Sequence, residues 1–293
     1  MTETSLDKRR NAYRSDLAAE VLRGKVSAPR FARGEARQGI AASAALRAAP
    51  DAQAGWTTEA LFGEVVTVYD ERDGWAWVQV ASDDYVGYLP TAALSSQIRA
   101  ATHRVSALGT ALYPLPDIKS CPSLHLSMNA ALAVAETGPV FARLEDGRNV
   151  PSVHIVERNC FAADFVAVAE AFVGAPYLWG GKTRLGLDCS GLLQVALEAT
   201  GKACPRDSDM QQAEVGEAVP LDAGLGGLRR GDIVFWKGHV GIMRDSEWLL
   251  HANAHHMMVA TEPLHEAVAR ILRTGAEITS VKRLAPGALA RAV

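Results

Sequence analysis

The sequence predicts an α+β protein: a mixed C-terminal half, preceded by one or two small β-barrels. Three observations carry this. From residue 160 onward, helix candidates come first and a run of short strands follows, the order expected when the two kinds of element segregate. Between 36 and 98, β-rich runs alternate with turn signals at the spacing of a small barrel. Residues 100–155 repeat that unit weakly. Ala45-Leu46-x-x-x-Pro50-Asp51 recurs 66 positions on as Ala111-Leu112-x-x-x-Pro116-Asp117, and Val68 falls on Val134 at the same offset.

Taken in order, residues 1–35 are rich in charge and read as a surface extension with a short helix over 7–22. Residues 36–98 form the first barrel. Its strands are 64–69 and 75–80, rich in β-branched and aromatic residues, and 85–89, separated by turns at Asp73-Gly74 and Asp83-Asp84. Residues 99–158 form the second, and 159–293 the mixed domain. In the latter, 162–173 reads as a helix closed by Gly174 and Pro176, and 189–200 as one closed by Gly201. Strands follow at 232–236, 239–244, 248–252 and 257–261. A helix over 264–272 and a last strand over 278–284 complete the pattern.

The bulk numbers narrow the function. The chain has 293 residues, 48% hydrophobic and 22% charged, ordinary values for a globular protein large enough for two or three domains. A net charge of −3 argues against a nucleic-acid partner, which calls for a basic surface. No apolar run approaches the roughly 20 residues of a membrane helix, so no membrane partner is expected. The first 22 residues lack the apolar stretch of a signal peptide. With Met1 as the true start, a soluble cytoplasmic protein is expected. Of the four cysteines, Cys121, Cys160, Cys189 and Cys204, none forms a CxxC pair, and reduced thiols are the default in that compartment.

One cysteine stands apart. Cys189, in Asp188-Cys189-Ser190-Gly191, follows the Gly-rich loop Trp179-Gly180-Gly181 and opens a predicted helix that Asp188 is placed to cap. Unpaired N–H groups and the positive end of the helix dipole stabilise a thiolate there and lower its pKa. On position alone, a buried inert cysteine fits equally well. A nucleophilic thiol needs a base. His239, 50 residues downstream at the start of a strand, has the pKa range to take and return a proton. A base needs an orienting partner. His251 lies 12 residues on, and a hairpin of 239–244 with 248–252 brings the two histidines side by side. His255 and His256 fall in a turn and receive no role. Zinc ligation by Cys189, His239 and His251 lacks any supporting ligand spacing, so no metal and no cofactor are expected.

Six segments, in order, resemble the NlpC/P60 family of papain-like cysteine peptidases. They are Pro176-Tyr-Leu-Trp-Gly-Gly181, Leu187-Asp-Cys-Ser-Gly-Leu192, Pro205-Arg-Asp-Ser208, Arg230-Gly-Asp-Ile-Val-Phe-Trp236, His239-Val-Gly-Ile242 and His251-Ala252. The resemblance covers about 160–285. It implies a papain-like domain with a catalytic helix on an antiparallel sheet, Cys189 as nucleophile, His239 as base and His251 as the orienting residue. The preceding residues resemble bacterial SH3 domains, and the whole arrangement is similar to the cytoplasmic γ-D-glutamyl-L-diamino acid endopeptidases. This likeness implies a murein peptide substrate, cut between γ-linked D-glutamate and the diamino acid, in recycling of the cell wall. It also implies that the first SH3 domain restricts the groove to peptides with a free N-terminal L-alanine. Tyr177, Asp188, Ser190 and Ser208 match the family's pocket positions. Tyr85, in Asp84-Tyr-Val-Gly-Tyr88, matches a pocket tyrosine, and Glu59, with Glu64 close behind, is the implied partner of the substrate amine. The loop before Tyr85 is shorter than the family's pattern, and the second SH3-like unit is poorly defined. Two alternatives stay open: an acyltransferase or amidase on the same scaffold, and a peptidoglycan-peptide binding protein without activity.

Overall fold

The computed structural model describes residues 6–220 and 225–285. The chain divides into two compact units, Met1–Val156 and Glu157–Val293.

In the first unit, seven strands form one sheet: β1 (Glu35–Gly39), β2 (Ser43–Arg47), β3 (Trp56–Leu61), β4 (Val65–Arg72), β5 (Trp75–Val80), β6 (Val86–Pro90) and β7 (Leu94–Ser95). Their order is β3-β2-β6-β5-β4-β1-β7. Alternation does the folding: Val66 and Val68 of β4 face inward with Ala76, Val78 and Val80 of β5, and Leu46, Ala60 and Leu89 close the core. The β4–β5 turn is formed by Asp73 and Gly74, both at positive φ (52° and 81°), as a tight twisted hairpin requires.

The segment ahead of this sheet is not the helix its sequence suggests. Leu17–Ala19 is a strand paired in parallel with Arg30–Ala32, followed by a 3-10 turn at Glu20–Leu22. Three successive residues, Leu17, Ala18 and Ala19, are all buried. A surface helix buries a stripe at every third or fourth position, not a continuous run. Ala12, Leu17, Ala19 and Leu22 pack with Trp77, and the Arg14 guanidinium lies 4.7 Å from the centre of its ring.

Residues 103–157 form smaller sheets around their own core of Val105, Leu112, Leu126, Leu132, Ala142 and Val150. Leu46 and Leu112, the leucines of the repeated sequence, are both fully buried, each in its own core.

Among its described residues the second unit has four helices: α1 (Phe165–Glu170), α2 (Cys189–Ala199), α3 (Ser208–Glu214) and α4 (Leu264–Leu272). They accompany β8 (Glu217–Ala218), β9 (Ile233–Trp236), β10 (His239–Met243), β11 (Trp248–Asn253), β12 (Met258–Pro263) and β13 (Ile278–Arg283). The sheet is antiparallel, ordered β8-β13-β9-β10-β11-β12. The helix α1 is shorter than the sequence suggests because the Asp164 side chain accepts from the Val166 N–H (2.8 Å) and fixes its start. Helix α2 is buried along almost its whole length and packs on β10 and β11. No described helix is long and apolar enough to cross a membrane.

Candidate active site

Cys189 opens α2, and Asp188 caps it, as its sequence position suggests. Asp188 Oδ1 accepts from the Gly191 N–H at 2.7 Å and its Oδ2 from the Gly180 N–H at 2.8 Å. The same carboxylate takes both ends of the Arg206 guanidinium, at 2.9 and 2.7 Å. Ser190 Oγ accepts from Arg206 at 2.8 Å and donates to Asp188 at 3.2 Å. Gln211, on α3, donates to the carbonyls of Ser190 (2.9 Å) and Pro205 (2.8 Å). Every member of this network is buried, so the charge on Asp188 is stable only because it is fully hydrogen-bonded. The start of α2 is therefore tied to the loop before it and to α3 after it.

The cysteine is not the exposed thiolate that its helix position alone suggests. Burial pushes the Cys189 thiol up to about 12, and the Asp188 carboxylate adds to the effect. The cap that fixes the helix also answers its positive end with a negative charge. The Val240 backbone N–H, one residue past His239 on β10, hydrogen-bonds the sulfur and pulls weakly the other way. Burial, with the neighbouring His251, takes His239 down to about 3. Both groups therefore rest uncharged.

The two histidines meet as the hairpin reading requires. His239 Nε2 and His251 Nδ1 are 2.8 Å apart, on the adjacent strands β10 and β11. His251 is fully buried, and its Nε2 lies 2.7 Å from Glu262 Oε1. Glu262, on β12, is paired through both oxygens with Arg270 of α4. Burial opposes its charge, but the hydrogen bonds from His251 and Arg270 hold its carboxyl down at about 2. His251, His256 and Glu262 also lie close enough to suggest a cation site. However, Arg270 already occupies both carboxylate oxygens, and a metal there would face the guanidinium charge.

Tyr177 is half-buried in the loop ahead of α2, its N–H bonded to the Met257 carbonyl at 3.0 Å. Burial raises its phenol to about 12, with Cys189 and Asp188 as neighbours that add to the effect, so the hydroxyl remains a donor. Ser208 is the first residue of α3, with Asp207 in the capping position. The structure thus brings together Cys189, His239, His251, Tyr177, Asp188 and Ser190, with Ser208 on the helix that braces them. Tyr85 and Glu59 belong to the first unit. Both are buried there, and Glu59 Oε1 accepts from Ser43 Oγ at 2.7 Å.

Sequence reasoning missed Glu262, Arg270 and the roles of Arg206 and Gln211. Arg206 stands inside a recognised segment, Pro205-Arg-Asp-Ser208, so its signal was present. Glu262 had none, because its meeting with His251 depends on strand register. Ala260 is the residue directly opposite His251, and Glu262 is its diagonal neighbour.

The sequence profile of the NlpC/P60 family matches residues 174–272, spanning Cys189, His239, His251 and Glu262. The chain carries an NlpC/P60 domain. The profile of the bacterial dipeptidyl-peptidase Sh3 domain matches residues 46–94. Dipeptidyl-peptidase 6 of Lysinibacillus sphaericus is 27% identical over 240 residues, covering 73% of this chain and 86% of that protein. Gamma-D-glutamyl-L-lysine dipeptidyl-peptidase of Bacillus subtilis is 28% identical over 239 residues, covering 71% and 77%. The crystal structure of an NlpC/P60 family protein from Bacillus cereus superposes with a TM-score of 0.72 at 22% identity, over 86% of this chain and all of that one. It shares the fold.

Proposed function

We propose that this protein is a cysteine endopeptidase that hydrolyses the bond between γ-D-glutamate and the diamino acid of cell-wall peptides. The observation that carries the proposal is the hydrogen-bonded pair His239–His251 on the sheet that packs against α2, with the Val240 N–H on the Cys189 sulfur. The names of the relatives supply the substrate class.

In this reading the Cys189 sulfur attacks the γ-carbonyl carbon of D-glutamate as His239 removes its proton. Concerted removal suits a thiol and an imidazole that both rest neutral. The Cys189 N–H, at the unpaired first turn of α2, and the Tyr177 hydroxyl stabilise the oxyanion; one such donor is worth about 3 kcal/mol. His239 then protonates the departing amine of the diamino acid, leaving a thioester. Water, activated by the same imidazole, hydrolyses it and releases L-Ala-D-Glu. Asp188 and Ser190 fix the floor of the site, and Ser208 lines it from α3. We assign Glu59 and Tyr85 to the free amine of the N-terminal L-alanine. In an intact wall that amine is acylated, so a requirement for it fits released fragments and their recycling in the cytoplasm. The same reading divides the residues ahead of the catalytic domain into an extension, 1–35, and two SH3-like modules, 36–98 and 99–158.

The test is incubation with L-Ala-γ-D-Glu-meso-diaminopimelate, followed by mass spectrometry. Wild-type protein should release L-Ala-D-Glu, and Cys189→Ala should release none. Turnover by folded Cys189→Ala would sink the proposal. Conjugates formed with an added amine, in place of free dipeptide, would favour acyl transfer.

A further inference from the structure

The orienting hydrogen bonds do not stop at His251. Its far nitrogen, Nε2, meets a carboxylate that cannot readily take a proton, because Arg270 occupies both oxygens of Glu262. A carboxylate accepts and does not donate. The His251 proton therefore resides on Nε2. A neutral imidazole carries one N–H, so His251 Nδ1 is left as a bare acceptor. Its neighbour at 2.8 Å is His239 Nε2, which must then be the donor. That leaves His239 Nδ1 unprotonated, as the one ring nitrogen free to serve Cys189.

Building on the peptidase reading above, we propose that Glu262, held by Arg270, is a positioning residue that fixes the tautomers of both histidines so that His239 presents a bare nitrogen to the thiol. The motif residues alone do not settle this. A His–His pair is symmetric in chemistry, and either ring can be the donor. With the opposite tautomers, His239 Nδ1 would carry a hydrogen and could not act as base. Other groups facing the pair do not compete for its proton. The His256 Nδ1 is 3.0 Å from Asn253 Oδ1, and Glu266 of α4 interacts with Arg270. When a base is pinned by a carboxylate in this way, replacing that carboxylate by an amide costs about 10⁴-fold in kcat, through loss of the right tautomer. Glu262 acts one residue further back, so a smaller loss is expected, on the order of 10²-fold.

The tautomers can be read directly. Long-range proton–nitrogen correlation spectra of protein labelled with ¹⁵N-histidine distinguish Nε2–H from Nδ1–H rings without any substrate. Signals are assigned from His239→Gln and His251→Gln. Wild-type His239 and His251 should both be neutral Nε2–H tautomers. An Nδ1–H signal for either would overturn the proposal before any substitution at Glu262 is made. In Glu262→Gln, whose amide can donate as well as accept, both rings should show mixed tautomers. The value of kcat should fall on the order of 10²-fold while KM stays within about threefold. Unchanged tautomers and kcat in folded Glu262→Gln would also overturn it. Arg270→Gln keeps the carboxylate, so the tautomers should persist; a loss there equal to that in Glu262→Gln would mean that packing, not the carboxylate, is responsible. Wild-type protein that fails to cleave the peptide sinks the peptidase reading alone, since the spectra do not depend on turnover.

Discussion

His239 and Cys189 both rest uncharged because burial penalises each charged form more than any neighbour rewards it. This has a consequence for stability. His239 is pulled from 6.5 to about 3, and burial pulls His251 down as well. A group with a depressed folded pKa contributes stability above its unfolded value and loses it as pH falls toward the folded one. The melting temperature should therefore hold between pH 8 and about 6.5 and decline steadily below that. His239→Asn, with one fewer imidazole to protonate, should decline less steeply. Equal slopes for the two proteins would contradict the burial account. The Asp188–Arg206 pair makes a second demand. Both side chains are almost wholly enclosed, at 8% and 1% exposure. Arg206→Met leaves the carboxylate buried with its main counter-charge gone, which costs about 3–5 kcal/mol. Urea unfolding should show the midpoint falling accordingly, and peptide cleavage should fall further than stability alone explains, because Asp188 also caps the helix that carries Cys189.

Among the elements, α2 shows how closely the site is built. Gly191 follows Cys189 by two residues, and a methyl group there would lie 2.2 Å from the Gly181 carbonyl oxygen. Backbone cannot give way as a flexible side chain does. Gly191→Ala must therefore push the first turn of α2 off the Gly180–Gly181 loop, at about 1–3 kcal/mol for overpacking. The expected result is a folded protein, checked by circular dichroism, with peptide cleavage lost; cleavage retained within threefold would show that the turn can move without harm. This turn was readable in the sequence because its parts are local: a Gly-rich loop, a capping aspartate, a cysteine. The same holds for α4, whose bounds of 264 and 272 follow from apolar periodicity, and for the strands around His239 and His251, whose short, mostly apolar runs mark them within one or two residues. Leu17–Ala19 was misread because its run of small apolar residues fits helix and strand alike, and only pairing with Arg30–Ala32 decides between them. Glu262 and Arg270 were unreadable for a related reason. Their contact with His251 is fixed by the β11–β12 register and by α4 returning to that edge, and neither is a local property.

At the scale of the molecule, the proposed requirement for a free amine gives the first unit a role. Glu59 is the residue on which this turns. It lies in β3 at 3% exposure, flanked by Thr58, Ala60 and Leu61, all buried, and Ser43 gives it a hydrogen bond. The peptidase reading gives this carboxylate the free ammonium of the substrate. A hydrogen bond to a charged group is worth about 1.5–3 kcal/mol, so loss of the carboxylate should cost about 10- to 150-fold in kcat/KM. Wild-type protein should cleave L-Ala-γ-D-Glu-meso-diaminopimelate and reject the same peptide acetylated on its alanine. Glu59→Gln should lose activity on the free peptide, chiefly through KM, and leave the rate on the acetylated one unchanged, so that the preference narrows from one side. Melting temperature provides the control for folding. If Glu59→Gln keeps the full preference for the free amine, recognition lies within Glu157–Val293, and the role given to the first unit is wrong. If the preference narrows as described, the first unit is part of the substrate site, although every group proposed to react lies in the second.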